Sequence, residues 1–279
     1  MNQGAGYVRA VPDRHRGTVL THLSATAPLR LFAPRITDQA AWLYSTTLGG
    51  GLVGGDDIRL TIDVEAGARV LAVTQASTKV YRSTRACRQR LDATVGAGAV
   101  LVSLPDPVVP FAGSIFEQRQ RIALHTAGSV LAMDGFTSGR LAFGEHWACD
   151  RYANRFEVLR DGRPMFYDHV MIDAADQSIA ERMRPFNICL VLVAMGPAFA
   201  PLATAMLARV AAMTAPAARR GESGSSSADA LVVSASMISG GGVLLRLAAV
   251  SVERATATLR EWLVPILPIL GDDPWARRP

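Results

Sequence analysis

A chain of 279 residues is long enough to bury a sizeable core, as one large domain or two modest ones. Apolar residues make up 49% of it, yet no apolar run reaches the roughly 20 residues that a bilayer-spanning helix needs. The opening MNQGAGYVRAVPDRHRG has no apolar core for export, so a cytoplasmic protein is expected.

The net charge of +5 comes from 28 arginines and a single lysine, Lys79. That usage reflects genome composition and does not argue for nucleic-acid binding. The densest cluster, Arg82, Arg85, Arg88 and Arg90, has only Tyr81 beside it. It therefore lacks a base-stacking platform and reads as a solvated or partner-facing edge. Cys87, Cys149 and Cys189 are odd in number and widely spaced, which excludes a disulfide framework and a paired zinc knuckle.

In chain order, residues 18–33 read as two short strands around residues 24–28, and residues 40–47 lead into a glycine-rich stretch. There Gly49, Gly51 and Gly54 match the spacing of a dinucleotide-binding turn. Such a turn must open a helix. Here residues 58–64, IRLTIDV, alternate at period two and predict a half-buried strand, so the nucleotide reading fails.

Small-residue turns then recur at 66–68, 97–99 and 127–129, followed by Val70-Leu71, Val100-Leu101 and Val130-Leu131, thirty residues apart each time. A fourth turn, Asp161-Gly162, follows at a similar interval. A fixed period of roughly 20–50 residues suggests stacked β units, as in a solenoid. The alternative is an antiparallel meander of equal hairpins. If units stack, the polar ends Thr74-Gln75, Asp106 and Asp134-Gly135 converge on one side, near the loop at 49–57.

Segments 114–124, 139–149, 154–160 and 164–172 alternate as strands, and the apolar run 186–195 predicts a strand covered on both faces. A helix is expected over 197–215, a Gly/Ser-rich flexible loop over 217–229, and a hairpin from 231–238 and 243–250. Apolar spacing of Val252, Ala255, Leu259 and Leu263 predicts a second helix, and the tail LGDDPWARRP is expected to be irregular. The expected fold is mainly β, a β-helix-like or stacked antiparallel β architecture in a single domain over 1–279, with two α-helices in the C-terminal half.

Neither a nucleophile elbow nor a P-loop is present. Cys87 among arginines would have a lowered thiol pKa, but no oriented histidine accompanies it. Placed on one strand, His146 and Cys149 point to opposite faces, against a closed metal site. Most of Asp56, Asp57, Asp63, Glu65, Asp106, Asp134 and Glu145 read as turn-capping or solvated acids. Asp134 is different, because the apolar residues 130–133 precede it. A carboxylate entering an apolar region needs a partner, for which Arg140 is the candidate.

The spaced motifs GGLVGGDD (50–57), TQASTKVYR (74–82), LPDP (104–107) with Pro110-Phe111, and Asp134 through Gly139-Arg140 to Gly144-Glu145 resemble those of the urease accessory protein UreD (UreH) family. Ala27-Pro28-Leu29-Arg30 and the helix ending in Trp262 match in the same order. The resemblance covers roughly residues 18–270 and departs at the Ser-rich loop 221–229 and in the tail, where Trp275 and Arg277 match loosely.

It implies a β-helix-like fold and a non-enzymatic maturation factor. The implied partners are apo-urease, the accessory protein UreF and the accessory GTPase UreG, with no nucleic acid and no membrane. No tightly bound cofactor is implied; nickel passes transiently. Under this reading Asp56, Asp57, Asp134 and Glu145 form a metal path, and Thr78, Lys79, Tyr81, Arg82, Gly139 and Arg140 line or support it. Gly50, Gly51, Gly54 and Gly55 shape the loop, and no residue is assigned as catalytic. The rival readings are a structural adaptor without a metal path and, less favoured, an enzyme binding a small phosphorylated substrate.

Overall fold

The computed structural model describes residues 2–15, 17–34, 39–213 and 230–275. The loop expected at 217–229 and the end of the tail lie outside these residues. An antiparallel pair opens the chain, β1 (Gln3–Asp13) and β2 (Gly17–Ala25), followed by the short pair β3 (Leu29–Phe32) and β4 (Ala41–Thr47). Three coils follow. The first holds β5 (Asp57–Val64), β6 (Arg69–Thr74) and β7 (Lys79–Val80), and the second β8 (Cys87–Val95), β9 (Val100–Ser103) and β10 (Val109–Pro110). The third has β11 (Ile115–Leu124) and β12 (Ser129–Thr137). The hairpin β13 (Arg151–Arg160) and β14 (Arg163–Asp173) closes one side. Then come α1 (Ile179–Met183), β15 (Ile188–Met195), α2 (Ala200–Ala212), β16 (Leu231–Met237), β17 (Val243–Ala249), α3 (Val252–Trp262) and α4 (Leu267–Leu270).

The small-residue turns drive the coiling. Each one ends a strand of one sheet and starts a strand of the other, so the thirty-residue repeat is one turn of a flattened β-helix. Strands β5, β8, β11 and β13 pair in parallel in a seven-stranded sheet, ordered β14-β13-β11-β8-β5-β1-β2. Strands β4, β6, β9 and β12 do the same in an eight-stranded sheet, ordered β16-β17-β15-β12-β9-β6-β4-β3. A short third ladder runs through Leu52, Val80 and Pro110. The stacked reading is the one observed, with antiparallel strands added at the sheet edges. Register is not strictly periodic: Val70 lies beside Leu101 and Leu101 beside Val130, so the offset is 31 and then 29 residues.

Three apolar layers hold the stack. Val8, Ile62, Ala93, Ile122 and Phe156 from the first sheet meet Val70, Leu101, Val130 and Val193 from the second. The other face of the second sheet carries Trp42, Leu71, Val102, Leu131 and Leu192, covered by Phe199, Met206, Leu259 and Trp262 of the helical layer. Phe116, Phe136, Trp147 and Tyr152 cap one end. Complete burial of each Val, Leu, Ile, Met or Phe among them contributes on the order of 1.5–3 kcal/mol. Helix α3 begins at Ser251, whose Oγ accepts a hydrogen bond from the Arg254 amide at 3.1 Å. Ser251→Ala should therefore cost about 1 kcal/mol, read as a lower urea-unfolding midpoint.

One expectation is corrected and one strand is added. Segment 139–149 is not a strand but a loop with a 3-10 turn at Leu141–Phe143, because positive φ at Gly139, Gly144 and Trp147 breaks the extension. Residues 3–13, read only for targeting, form a strand beside β5. Both long helices are present, α2 preceded by a 3-10 turn at Pro197–Phe199.

Candidate functional site: a polar interior around Asp134

Strand β12 carries Asp134 inward between the sheets, where the residue is 5% exposed. The parallel register of the facing sheet puts Gln89, Gln118 and Asn154 side by side, because all three occupy the same position in successive strands. Gln120 follows two residues on. The amides of Gln118, Gln120 and Asn154 converge on the carboxylate. Gln118 donates to Oδ1, as does Gln120 Nε2 at 3.1 Å, while Asn154 Nδ2 donates to Oδ2 at 2.7 Å and the Tyr152 hydroxyl to Oδ2 at 3.4 Å. All four partners are neutral. Burial pushes the carboxyl up to about 6, although the bonds from Gln118, the Gly135 amide and Tyr152 pull the other way. The same burial, with the carboxylate beside it, raises the Tyr152 phenol well above its usual value. Gln120 Oε1 and Asn154 Oδ1 are buried without a hydrogen-bond partner among the described residues.

Asp134 faces space. One cavity of about 70 Å³ is lined by Thr74, Thr78, Ser103, Asp106, Gln118, Gln120 and Asp134, among others. A smaller space beside it shares Ser45, Thr74, Thr78 and Gln89 and reaches Gly50 of the glycine loop. On the other side a cavity of about 290 Å³ also has Asp134 and Gly135 in its wall, with Asp168, Arg246, Ser234 and Cys189. Arg246 is held there by Asp168 at 2.7 Å. Thr74 Oγ1 donates to Asp106 Oδ2 at 3.1 Å and accepts from the Asp106 amide at 2.8 Å. The polar ends of the three coils therefore meet as the repeat predicted, with Thr78 and Gly50 beside them.

The other sequence-predicted residues lie elsewhere. Asp56 Oδ2 accepts from the Val53 amide at 3.0 Å and closes the glycine turn, a capping role. Asp57 is shared by Arg59 at 3.1 Å and Arg90 at 3.4 Å on the outer side of the first sheet. Glu145 pairs with Arg140 and also accepts from the Ala112 amide at 3.2 Å. That pairing lowers the Glu145 pKa. Arg140 in turn lies 4.1 Å over the Phe111 ring, which meets Tyr81 edge-on. Arg140 is thus the partner of Glu145, not of Asp134.

The side chain of Lys79 is exposed, while its carbonyl accepts from Leu52 and ties down the glycine loop. A Cβ on Gly51 would stand 2.6 Å from that carbonyl oxygen and from the Tyr81 ring, which is why glycine is required there. Gly50, Gly54 and Gly55 take positive φ around the same loop. Arg82 packs against Gly113, and Gly139 lies near Pro110 and Glu145. His146 Nε2 lies 2.6 Å from Asn187 Oδ1 and Cys87 is buried with its thiol pKa raised, so neither has the reactive setting considered above. Among the described residues no three His, Cys, Asp or Glu side chains stand together as a metal-holding group, and no helix is long and apolar enough to cross a membrane.

Fold and interior together define a class: a flattened β-helix backed by helices, with a polar interior strung from a glycine loop past one buried carboxylate. Within that class the chain belongs to the UreD urease accessory protein family, whose profile matches residues 4–278. It is 47% identical over 261 residues to the urease accessory protein UreD of Sorangium cellulosum, covering 94% of this chain and 80% of that one. Urease accessory protein D of Oryza sativa subsp. indica is 33% identical, with 97% and 94% covered. That of Arabidopsis thaliana is 34% identical, with 88% of each chain covered.

Proposed function

We propose that this chain is a non-enzymatic urease maturation factor. It would bind apo-urease and, with the accessory protein UreF and the GTPase UreG, support nickel delivery as scaffold and conduit. Nickel is the cargo here, not a resident cofactor. The observation that carries the reading is the interior itself: polar groups from successive coils line adjoining cavities on both sides of Asp134. A carboxylate whose own hydrogen-bond partners are all neutral can offer oxygen to a passing divalent ion without retaining it, since retention needs several ligands at once. Thr74, Thr78, Ser103 and Asp106 would replace part of the ion's water on the way. Of the four carboxylates first assigned to the path, this reading keeps Asp134. Asp56, Asp57 and Glu145 become supports of the loop and sheet.

The test is activation of apo-urease with the Asp134→Ala variant. Expected is an intact assembly with the accessory partners by size exclusion, and urease of low nickel content and low activity. Urease carrying its normal nickel would remove the conduit and leave the scaffold.

A further inference from the structure

The outer face of the seven-stranded sheet carries an arrangement that the interior does not use. Parallel register places Arg59 beside Arg90, Arg90 beside Arg119, and Arg119 beside Arg155, one arginine from each of four adjacent strands. His169 of β14 extends the row. Strands are about 4.8 Å apart, so four guanidinium stems stand in line over about 14 Å. Like charges side by side on a sheet are destabilising.

The neighbouring carboxylates do not cancel the row. Asp57 is shared between Arg59 and Arg90, and Glu117 between Arg88 at 2.8 Å and Arg151 at 2.7 Å. Glu157 is shared between Arg119 at 2.8 Å and Arg121 at 3.5 Å. Arg155 is exposed and has no ion pair among the described residues. Counting Asp92 and, on β14, Asp173, these outward rows hold seven arginines against five carboxylates. Each shared acid orients two guanidinium groups and leaves N–H donors on both for a further acceptor.

We propose that this ladder is a docking surface for an acidic α-helix of a partner protein, laid across the strands. Carboxylates at i and i+4 on one helix face are about 5–6 Å apart, close to the strand spacing, and flexible arginine stems absorb the difference. Planar guanidinium groups match carboxylates bidentately. Nucleic acid fits less well, because Asp57 and Glu117 flank the row on one side and Asp92 and Glu157 on the other. Outward residues along a strand recur about every 7 Å. A duplex backbone over the ladder would therefore lie against rows in which these acids alternate with Arg88 and Arg121, with Arg151 paired to Glu117, whereas a single helix edge sits between those rows. The inference is independent of the nickel path and concerns the opposite side of the first sheet.

The experiment measures binding of the full chain to a labelled synthetic helix with glutamates four residues apart on one face, by fluorescence anisotropy at low and high salt. Its glutamine counterpart and a DNA oligonucleotide of equal net charge are the comparison probes. Expected is salt-sensitive binding of the glutamate helix and none of the glutamine helix. Binding should weaken roughly five- to tenfold in Arg119→Glu/Arg155→Glu and measurably in Arg155→Glu alone, which breaks no ion pair. Arg30→Glu, on the other sheet, should bind as the wild type does. Unchanged affinity in both ladder variants overturns the proposal. So does equal binding of the two helices, or tighter binding of the oligonucleotide than of the glutamate helix.

Discussion

Gly196→Ala should lower the stability of this protein by about 3–5 kcal/mol, a large share of the roughly 5–15 kcal/mol that holds a typical domain folded. Gly196 leaves β15 at φ 94° and ψ 169°, a region essentially reserved for glycine. An added Cβ would also stand 2.2 Å from the Gly128 carbonyl oxygen and 2.7 Å from Ser129 Cα. Neither neighbour can retreat. The Ser129 amide is bonded to Ala99 at 2.9 Å, its Oγ accepts from the Ala198 amide at 3.0 Å, and β12 is held between β9 and β15. Strain and overpacking therefore add. Gly49→Ala is the control, because Gly49 has φ 83° but nothing within 4 Å of the added Cβ. It should lose only about 1–2 kcal/mol of backbone strain. Urea unfolding of the two variants decides it; equal losses would mean that the contact at the third turn is softer than its geometry. The consequence reaches the candidate site, since the same turn sets where β12 begins and so where Asp134 stands.

That turn was legible in the sequence, as were the thirty-residue repeat and the convergence of Thr74, Asp106 and Asp134. Equal spacing of small residues is a local signal, and stacking follows from it almost mechanically. What escaped was set by neighbours. The inward positions of β1 are Gly4, Gly6, Val8 and Ala10, too small to mark an apolar face, yet β3 lies so close that Leu29 and Leu31 would collide with any larger residue at Gly6. Segment 139–149 alternates like a strand, but three positive φ angles outweigh the pattern.

The partners of Asp134 were hidden for a related reason. Gln118 and Gln120 occupy the inward phase of β11, between Phe116 and Ile122, where two amides interrupt an otherwise apolar series. Gln89 repeats that interruption one coil earlier and Asn154 one strand later. Polar residues recurring in the buried phase of a repeat were therefore the available signal. Arg140 could be excluded as a partner only once its bond to Glu145 was seen.

Keeping an ionised Asp134 between the sheets costs stability at neutral pH, and this gives the second large expectation. Its folded pKa, about 6, lies above the ordinary value of 3.8 because burial penalises the charge. The folded protein therefore holds this proton more tightly than the unfolded chain. The resulting stability is fully present below about pH 4 and is lost as the pH rises through 6. A rise of about two pH units corresponds to roughly 3 kcal/mol. In Asp134→Asn that dependence should vanish, and the variant should be the more stable protein at pH 7.5. The new amide is accommodated once Asn154 turns its own amide over: its Nδ2 now donates to Asp134, and the flip presents its Oδ1, otherwise without a partner among the described residues, as the acceptor. Urea midpoints for both proteins across pH 4–8 give the measurement, and only their difference matters, since other carboxylates such as Glu145, held below its usual range by Arg140, titrate in both. Parallel curves would show that the Asp134 carboxylate is better solvated than its surroundings imply. Diverging curves combined with impaired urease activation would show that a destabilising charge is retained for its chemistry, as carriage of a divalent cargo requires.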